Sequence, residues 1–200
     1  MNALDFDMSK EINFDFEQGI TSFRDSRLLI LDANAIGLLR QNMIEELGIE
    51  RARAFFFKLG YQNAYSDFMQ TKINYQFENE FELLKVGPVI HTWEGKVKSA
   101  PVAFEFDRAK GEFRYQGLWK NSYEAEQHLS YNEVSTEPTC WLSMGYASGW
   151  ATGFFGKRVI CIERECMGMG HDACRTLIQL PELWGEEGEP YRQALKDLPY

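Results

Sequence analysis

The chain has 200 residues, 44% of them hydrophobic, enough to bury one sizeable core, so a single globular domain is the default. A net charge of −9 gives no general attraction to nucleic acid or to an anionic membrane surface, which argues against direct DNA binding. No apolar run approaches the roughly 20 residues of a membrane span, and the acidic opening MNALDFDMSKEINFDFEQG lacks a signal-peptide core; the expectation is a cytoplasmic protein with no membrane contact.

Residues 1–25 mix Phe6, Phe14, Phe16 and Phe23 with acids and read as an extended arm that packs on something else, a second subunit included. Arg27 to Leu31 reads as a short buried strand. Asp32 or Asn34 then caps a helix that carries Ile36, Leu39, Met43 and Leu47 and stops at Gly48. A second helix is expected from about Glu50 to Gln70, and a short third one around Phe77, Phe81 and Leu84. After Gly87-Pro88 the pattern becomes strands, at Val89–Trp93, Val102–Asp107 and Glu112–Trp119, with Arg108–Gly111 as a hairpin turn.

Asn121 and Glu124 offer a capping box for a helix through Leu129, and Pro138 opens a longer helix from Thr139 to Phe155. Gly145, Gly149 and Gly153 share one face of that helix, so a backbone or ligand can come close to it. Lys157–Cys166 and Arg175–Leu180 alternate like the two strands of a hairpin. The tail 181–200, with Gly185, Gly188, Pro190 and Pro199, reads as the start of a linker. The sensing domain proper is thus expected over 26–180, in an α+β fold of antiparallel hairpins packed with helices.

Three of the four cysteines crowd between Cys161 and Cys174, too few for a secreted disulfide scaffold and suited to metal or thiol chemistry. Cys166 and Cys174 flank the glycine-bearing turn MGMGHDA, Glu163 lies just upstream, and Cys140 begins the preceding helix. Buried thiols in an apolar region account for the same cysteines without a metal. Spacing alone leaves Glu165, His171 and Cys161 as competing ligands. Arg164, Arg175 and His171 are candidate outer donors to a negatively charged metal shell.

The stretch CWLSMGYASGWATGFFGKRVICIERECMGMGHDAC resembles the 4-vinyl reductase domain in the sensory modules of XylR/DmpR-type activators, sigma-54-dependent regulators of phenol and alkylbenzene catabolism. LGIERARAFFFKLGYQ, VIHTWEG and FEFD extend the resemblance over most of the chain. It implies a structural zinc ion on Cys140, Glu163, Cys166 and Cys174, clamping the C-terminal lobe. It also implies an aromatic effector, a homodimer, and ATPase and DNA-binding domains downstream.

A buried phenolic hydroxyl needs an acceptor for its proton and a donor to its oxygen; a neutral imidazole and an indole N–H supply both. His91 and Trp119 match the His and Trp of the phenol-sensing relatives, so the resemblance implies that they anchor an aromatic alcohol. Trp150 and Leu84 fall where relatives line the cavity. Gly117 and Cys161 stand where an aromatic side chain is expected in the phenol sensors, and if they face the ligand they leave room for a larger aromatic.

Gly168, Gly170 and Ala173 spell a dinucleotide-binding pattern without the strand and helix it requires. Gly156-Lys157 lacks the rest of a phosphate-binding loop. The expected function is an effector sensor, not an enzyme; the alternative is a zinc-dependent hydrolase or reductase-like enzyme whose carboxylate ligand gives way to water.

Overall fold

A computed structural model describes residues 1–199. Strands β1 (Ile12–Asp15), β2 (Ile20–Phe23) and β3 (Ser26–Leu28) form a small antiparallel sheet. The segment expected to be a free arm is therefore folded on its own chain. Phe6 is buried, edge-on to Phe23 and Tyr75, and the Ala3 N–H donates to Glu82 at 2.9 Å. The expected buried strand at Arg27–Leu31 is also corrected: β3 ends at Leu28, and Leu29, Ile30 and Leu31 are exposed.

Helix α1 (Ala33–Leu47) starts on Asp32, whose carboxylate accepts from the Ala35 N–H at 2.8 Å. Gly48, at φ +80°, separates it from α2 (Ile49–Asn74). Helix α3 (Glu80–Trp93) begins on Asn79 and runs through the Val89–Trp93 stretch expected to be a strand. His91 is therefore on a helix. Leu83, Leu84, Gly87, Ile90 and His91 recur at helical spacing and share its buried face.

Pro88 misled the sequence reading because it cannot donate to the Leu84 carbonyl four residues back. The Trp150 indole N–H takes that place, donating to the Leu84 oxygen at 3.0 Å. A tertiary contact thus repairs the helix that proline would otherwise leave unsatisfied.

Strands β4 (Lys98–Asp107) and β5 (Glu112–Lys120) form the expected hairpin. Helix α4 (Tyr123–Tyr131) is capped by Ser122, not by the expected Asn121–Glu124 box. Helix α5 (Trp141–Phe155) follows, then β6 (Ile160–Glu165), β7 (Cys174–Gln179) and α6 (Glu189–Leu195). The second sheet is antiparallel in the order β4-β5-β7-β6. The tail expected to begin a linker folds back: Trp184, Tyr191 and Leu195 are buried, and the Trp184 indole donates to the Ile160 carbonyl at 3.0 Å.

Helix α5 is buried on nearly every side, between the second sheet and α2. Its glycine face has the expected purpose. A methyl group added at Gly145 or Gly149 would collide with the carbonyl oxygens of Phe57 and Tyr61, and one at Gly60 would strike that of Leu142. The two helix backbones touch, with no side chain between them. Among the described residues, no helix is long and apolar enough to cross a membrane.

Gly149→Ala is expected to destabilise the fold by about 1–3 kcal/mol or more, because the colliding atom is backbone and cannot step aside. Gly185→Ala, with open space around the added methyl, is expected to stay within about 0.5 kcal/mol of the parent. Urea denaturation of the two variants measures the contrast.

Candidate functional site

Two sites share α5 and the second sheet. The first is a cluster of Cys140, Glu163, Cys166 and Cys174, all buried, whose ligand atoms lie within 4.8 Å of one another. Cys140 is the N-cap of α5, Glu163 comes from β6, Cys166 from the strand's exit and Cys174 from the start of β7. The turn between the last two passes through Gly170 at φ +86° and returns the Met169 and His171 N–H groups to the Cys166 carbonyl.

The competing ligands are sorted by this geometry. The β6–β7 register shifts between Glu163 and Glu165, and this bulge turns successive side chains differently. Glu163 points into the cluster while Glu165 pairs with Arg175 at 2.8 Å outside it. His171 is exposed. Cys161 is buried elsewhere on β6, its N–H donating to Ser148 Oγ at 2.8 Å. The expected outer donors do not face the cluster either: Arg164 pairs with Glu187 and stacks over Trp184.

The donor set fits a tetrahedral cation. Zinc–sulfur bonds of about 2.3 Å place sulfurs about 3.8 Å apart in a tetrahedron, and Cys140 Sγ stands 3.7 Å from Cys166 Sγ and 3.9 Å from Cys174 Sγ. Glu163 Oε2 accepts from the Cys140 N–H at 3.4 Å, while Oε1 is buried with no hydrogen-bond partner. An orphaned carboxylate oxygen beside three thiols is what a missing cation leaves behind.

Charge leads to the same conclusion. Burial pushes the Cys140 thiol well up, and burial followed by the Cys166 charge pushes Glu163 up. Hydrogen bonds from Cys140 and Cys174 hold Cys166 down. Without a cation, the cluster keeps most of its protons; a divalent ion would displace them.

The second site is a cavity between α3, α5 and the sheet, about 40 Å³ as room for the centre of a water-sized sphere. His91 and Leu84 come from α3, Trp150 and Tyr146 from α5, Trp119 and Phe113 from β5, and Thr176 and Ile178 from β7. Of the residues expected to line a pocket, His91, Trp119, Trp150 and Leu84 meet here. Gly117 and Cys161 are not part of the lining. The space beside Gly117 is taken, since an added Cβ would meet Thr176 Oγ1 at 2.7 Å and Tyr115 at 3.4 Å. Cys161 sits opposite Ile178 in the β6–β7 register.

His91 is the polar anomaly of this wall. It is buried, and its Nε2 has no hydrogen-bond partner. Its ring lies 6.0 Å from Trp119 and 4.4 Å from Tyr146. Burial, and secondarily the charge of Lys96, pulls its pKa well below 6.5 and keeps it neutral. Trp150 has spent its N–H on Leu84, so it contributes an apolar face.

Sequence reading missed Tyr146, which lies inside the glycine-bearing helix and looks like core. Its hydroxyl donates to Asp67 at 3.0 Å, and burial raises that carboxyl to about 6. Only the fold brings α2 and α5 together at this point.

The unfolded chain takes up a proton at His91 below about pH 6.5, whereas the folded chain does not. Stability supplied by the neutral ring is therefore lost as the pH falls below about 6.5. Compared with the parent, His91→Phe is expected to lose less stability between about pH 7 and pH 5 in urea denaturation.

Comparison with known proteins places these two sites in context. Residues 7–107 match the family described as activator of aromatic catabolism, and residues 119–180 match the 4-vinyl reductase domain. The chain is 30% identical over 180 residues to the transcriptional regulatory protein XylR of Pseudomonas putida, covering 90% of this chain and 32% of that protein. It is 31% identical over 186 residues to the phenol regulator MopR of Acinetobacter guillouiae, covering 93% of this chain and 33% of that protein. The chain thus spans about a third of the length of these relatives.

Among solved structures, the phenol-responsive sensory domain of the transcription activator PoxR, crystallised with phenol, superposes with a TM-score of 0.86 at 32% identity. The match covers 94% of this chain and 92% of that one. A trafficking protein particle complex subunit 3 from Naegleria fowleri, at 13% identity and a TM-score of 0.51 over 74% of this chain and 94% of that one, shares the fold alone.

Proposed function

Because the chain belongs to the family of activators of aromatic catabolism, we propose that it senses a phenol-like aromatic and that His91 and Trp119 anchor the hydroxyl. The observation that carries the reading is the unpaired, buried His91 Nε2 on the cavity wall. A neutral imidazole nitrogen accepts the phenolic proton, and the Trp119 indole N–H donates to the phenolic oxygen. Phe113, Trp150 and Ile178 supply apolar walls for the ring.

The tightness of the cavity and the space already filled beside Gly117 favour a single ring over a larger aromatic.

The metal we propose is zinc, held by Cys140, Glu163, Cys166 and Cys174. When bound, it supplies a structural cross-link with four protein ligands, leaving no position for a reacting water. This closed shell, together with the regulators and sensory domain the chain resembles, favours a sensor over a metal-dependent hydrolase.

The two sites are close along the chain and in the fold. Trp119 pairs directly with Cys174 across β5 and β7, and α5 runs from Cys140 to the cavity residues Tyr146 and Trp150. A ligand that binds one arrangement of this unit better than another shifts its population. The readout we propose is the packing of residues 181–195 against β6 and α2, relayed to a downstream ATPase domain. The remaining elements of the proposal are a homodimer and a cytoplasmic setting.

Calorimetry with phenol tests the anchors. The parent is expected to bind, and His91→Ala and Trp119→Ala are each expected to weaken binding about tenfold or more. Absence of binding, or equal binding by all three proteins, contradicts the reading. Elemental analysis is expected to find about one zinc per chain, and Cys140→Ser is expected to lose most of it, since a closed site is built from all four ligands.

A further inference from the structure

Arg40, on α1, is a buried guanidinium, only 5% exposed. None of the ion pairs among the described residues includes it. An arginine stays protonated at any pH the fold survives, so a buried one needs compensating negative charge or acceptors. Arg53, the other buried arginine, follows the rule by pairing with Glu50 and Glu137. Arg40 does not, and its Nε is unpaired as well.

What surrounds Arg40 leads towards the thiol cluster. Its Nη1 lies 3.1 Å from His128 Nδ1. The guanidinium has only donors, so Nδ1 must accept; His128 then carries its proton on Nε2, which donates to the Glu133 carbonyl at 3.0 Å. That carbonyl belongs to the segment whose Ser135 N–H donates to Gly168 in the turn between Cys166 and Cys174. On its other side, the guanidinium lies 3.9 Å over the ring of Trp141, the residue after Cys140.

Glu124 is the carboxylate on this side of α4, but its two oxygens accept from the Leu142 and Ser143 N–H groups at 2.8 Å each. It caps α5 instead of gripping Arg40. Burial opposes the arginine's charge, while Glu124 and then Cys140 and Cys166 favour it.

The charge of a loaded cluster completes the argument. Three thiolates and one carboxylate bring four negative charges, and a divalent cation returns two. A doubly negative, fully buried shell then requires a nearby positive charge. Arg164 and Arg175 are paired with surface carboxylates.

We propose that Arg40 is the buried counter-charge of the metal-loaded cluster, a positioning residue that acts through Trp141 and His128 and raises the cluster's affinity for a divalent cation. This rests on the metal reading given above. It also accounts for the apparent lack of a partner: the partner is the loaded cluster as a whole.

The test is competition for zinc between the full chain and the chromogenic chelator 4-(2-pyridylazo)resorcinol, run on the parent, Arg40→Met and Arg40→Lys. Methionine keeps an unbranched apolar stem against Trp141 without charge; lysine keeps the charge. Arg40→Met is expected to lose about tenfold or more in zinc affinity, and Arg40→Lys to stay within about threefold of the parent. The gain in melting temperature on adding zinc to the metal-free protein is expected to shrink in Arg40→Met and persist in Arg40→Lys.

A folded Arg40→Met with parental zinc affinity overturns the proposal. So does a folded Arg40→Lys that loses as much zinc as the methionine variant, because Arg40 would then act by shape. Should Arg40→Met fail to fold, Arg40→Lys decides alone: retained affinity supports the proposal, and a tenfold loss overturns it. A parent protein that binds no zinc removes the metal reading itself, and this inference with it.

Discussion

The backbone contact between α2 and α5 is the constraint on which the rest depends. Gly60, Gly145 and Gly149 let main chain touch main chain, so the distance and rotation of α5 are fixed to within the hard-sphere tolerance of a carbonyl oxygen. Every functional element inherits that placement. The N-cap residue of α5 is Cys140, its middle carries Tyr146 and Trp150 to the cavity, and Trp150 reaches across to the Leu84 carbonyl that Pro88 leaves open.

The second sheet joins the two sites from the opposite side. Strands β5 and β7 place Trp119 opposite Cys174, and Gly117 opposite Thr176. A displacement of Trp119 is therefore a displacement of the strand that holds a cluster ligand. Such stiff, packed elements respond to a ligand by redistributing between discrete arrangements more than by bending. The metal's part in this proposal is to keep α5, β6 and β7 as one body so that a small change at the cavity is not dissipated.

Much of this arrangement was legible in the sequence because local chemistry dictated it. Asp32 caps its helix, Gly48 ends it, and Arg108–Gly111 closes a hairpin. The cysteines of the cluster and the glycine turn between them were likewise readable, though the choice among Glu163, Glu165, His171 and Cys161 required the β6 bulge.

What failed had a tertiary cause. The Val89–Trp93 strand was expected because Pro88 argues against a helix, and only a tryptophan from α5 reverses that argument. Residues 1–25 and 181–195 looked like an arm and a linker because their apolar residues are sparse; each packs on elements distant in sequence. Arg40 looked like one more charge on an amphipathic helix, and nothing local marks it as buried among α4 and Trp141.

The central claim is that the unpaired His91 Nε2 receives a phenolic hydroxyl. Nitrogen-15 NMR of the histidine-labelled chain, recorded without phenol and at saturation, tests it most directly. The account predicts an unprotonated Nε2 signal that moves on binding in the direction of a new hydrogen bond, with His128 and His171 unmoved. Saturation by phenol with the His91 signal unchanged contradicts it.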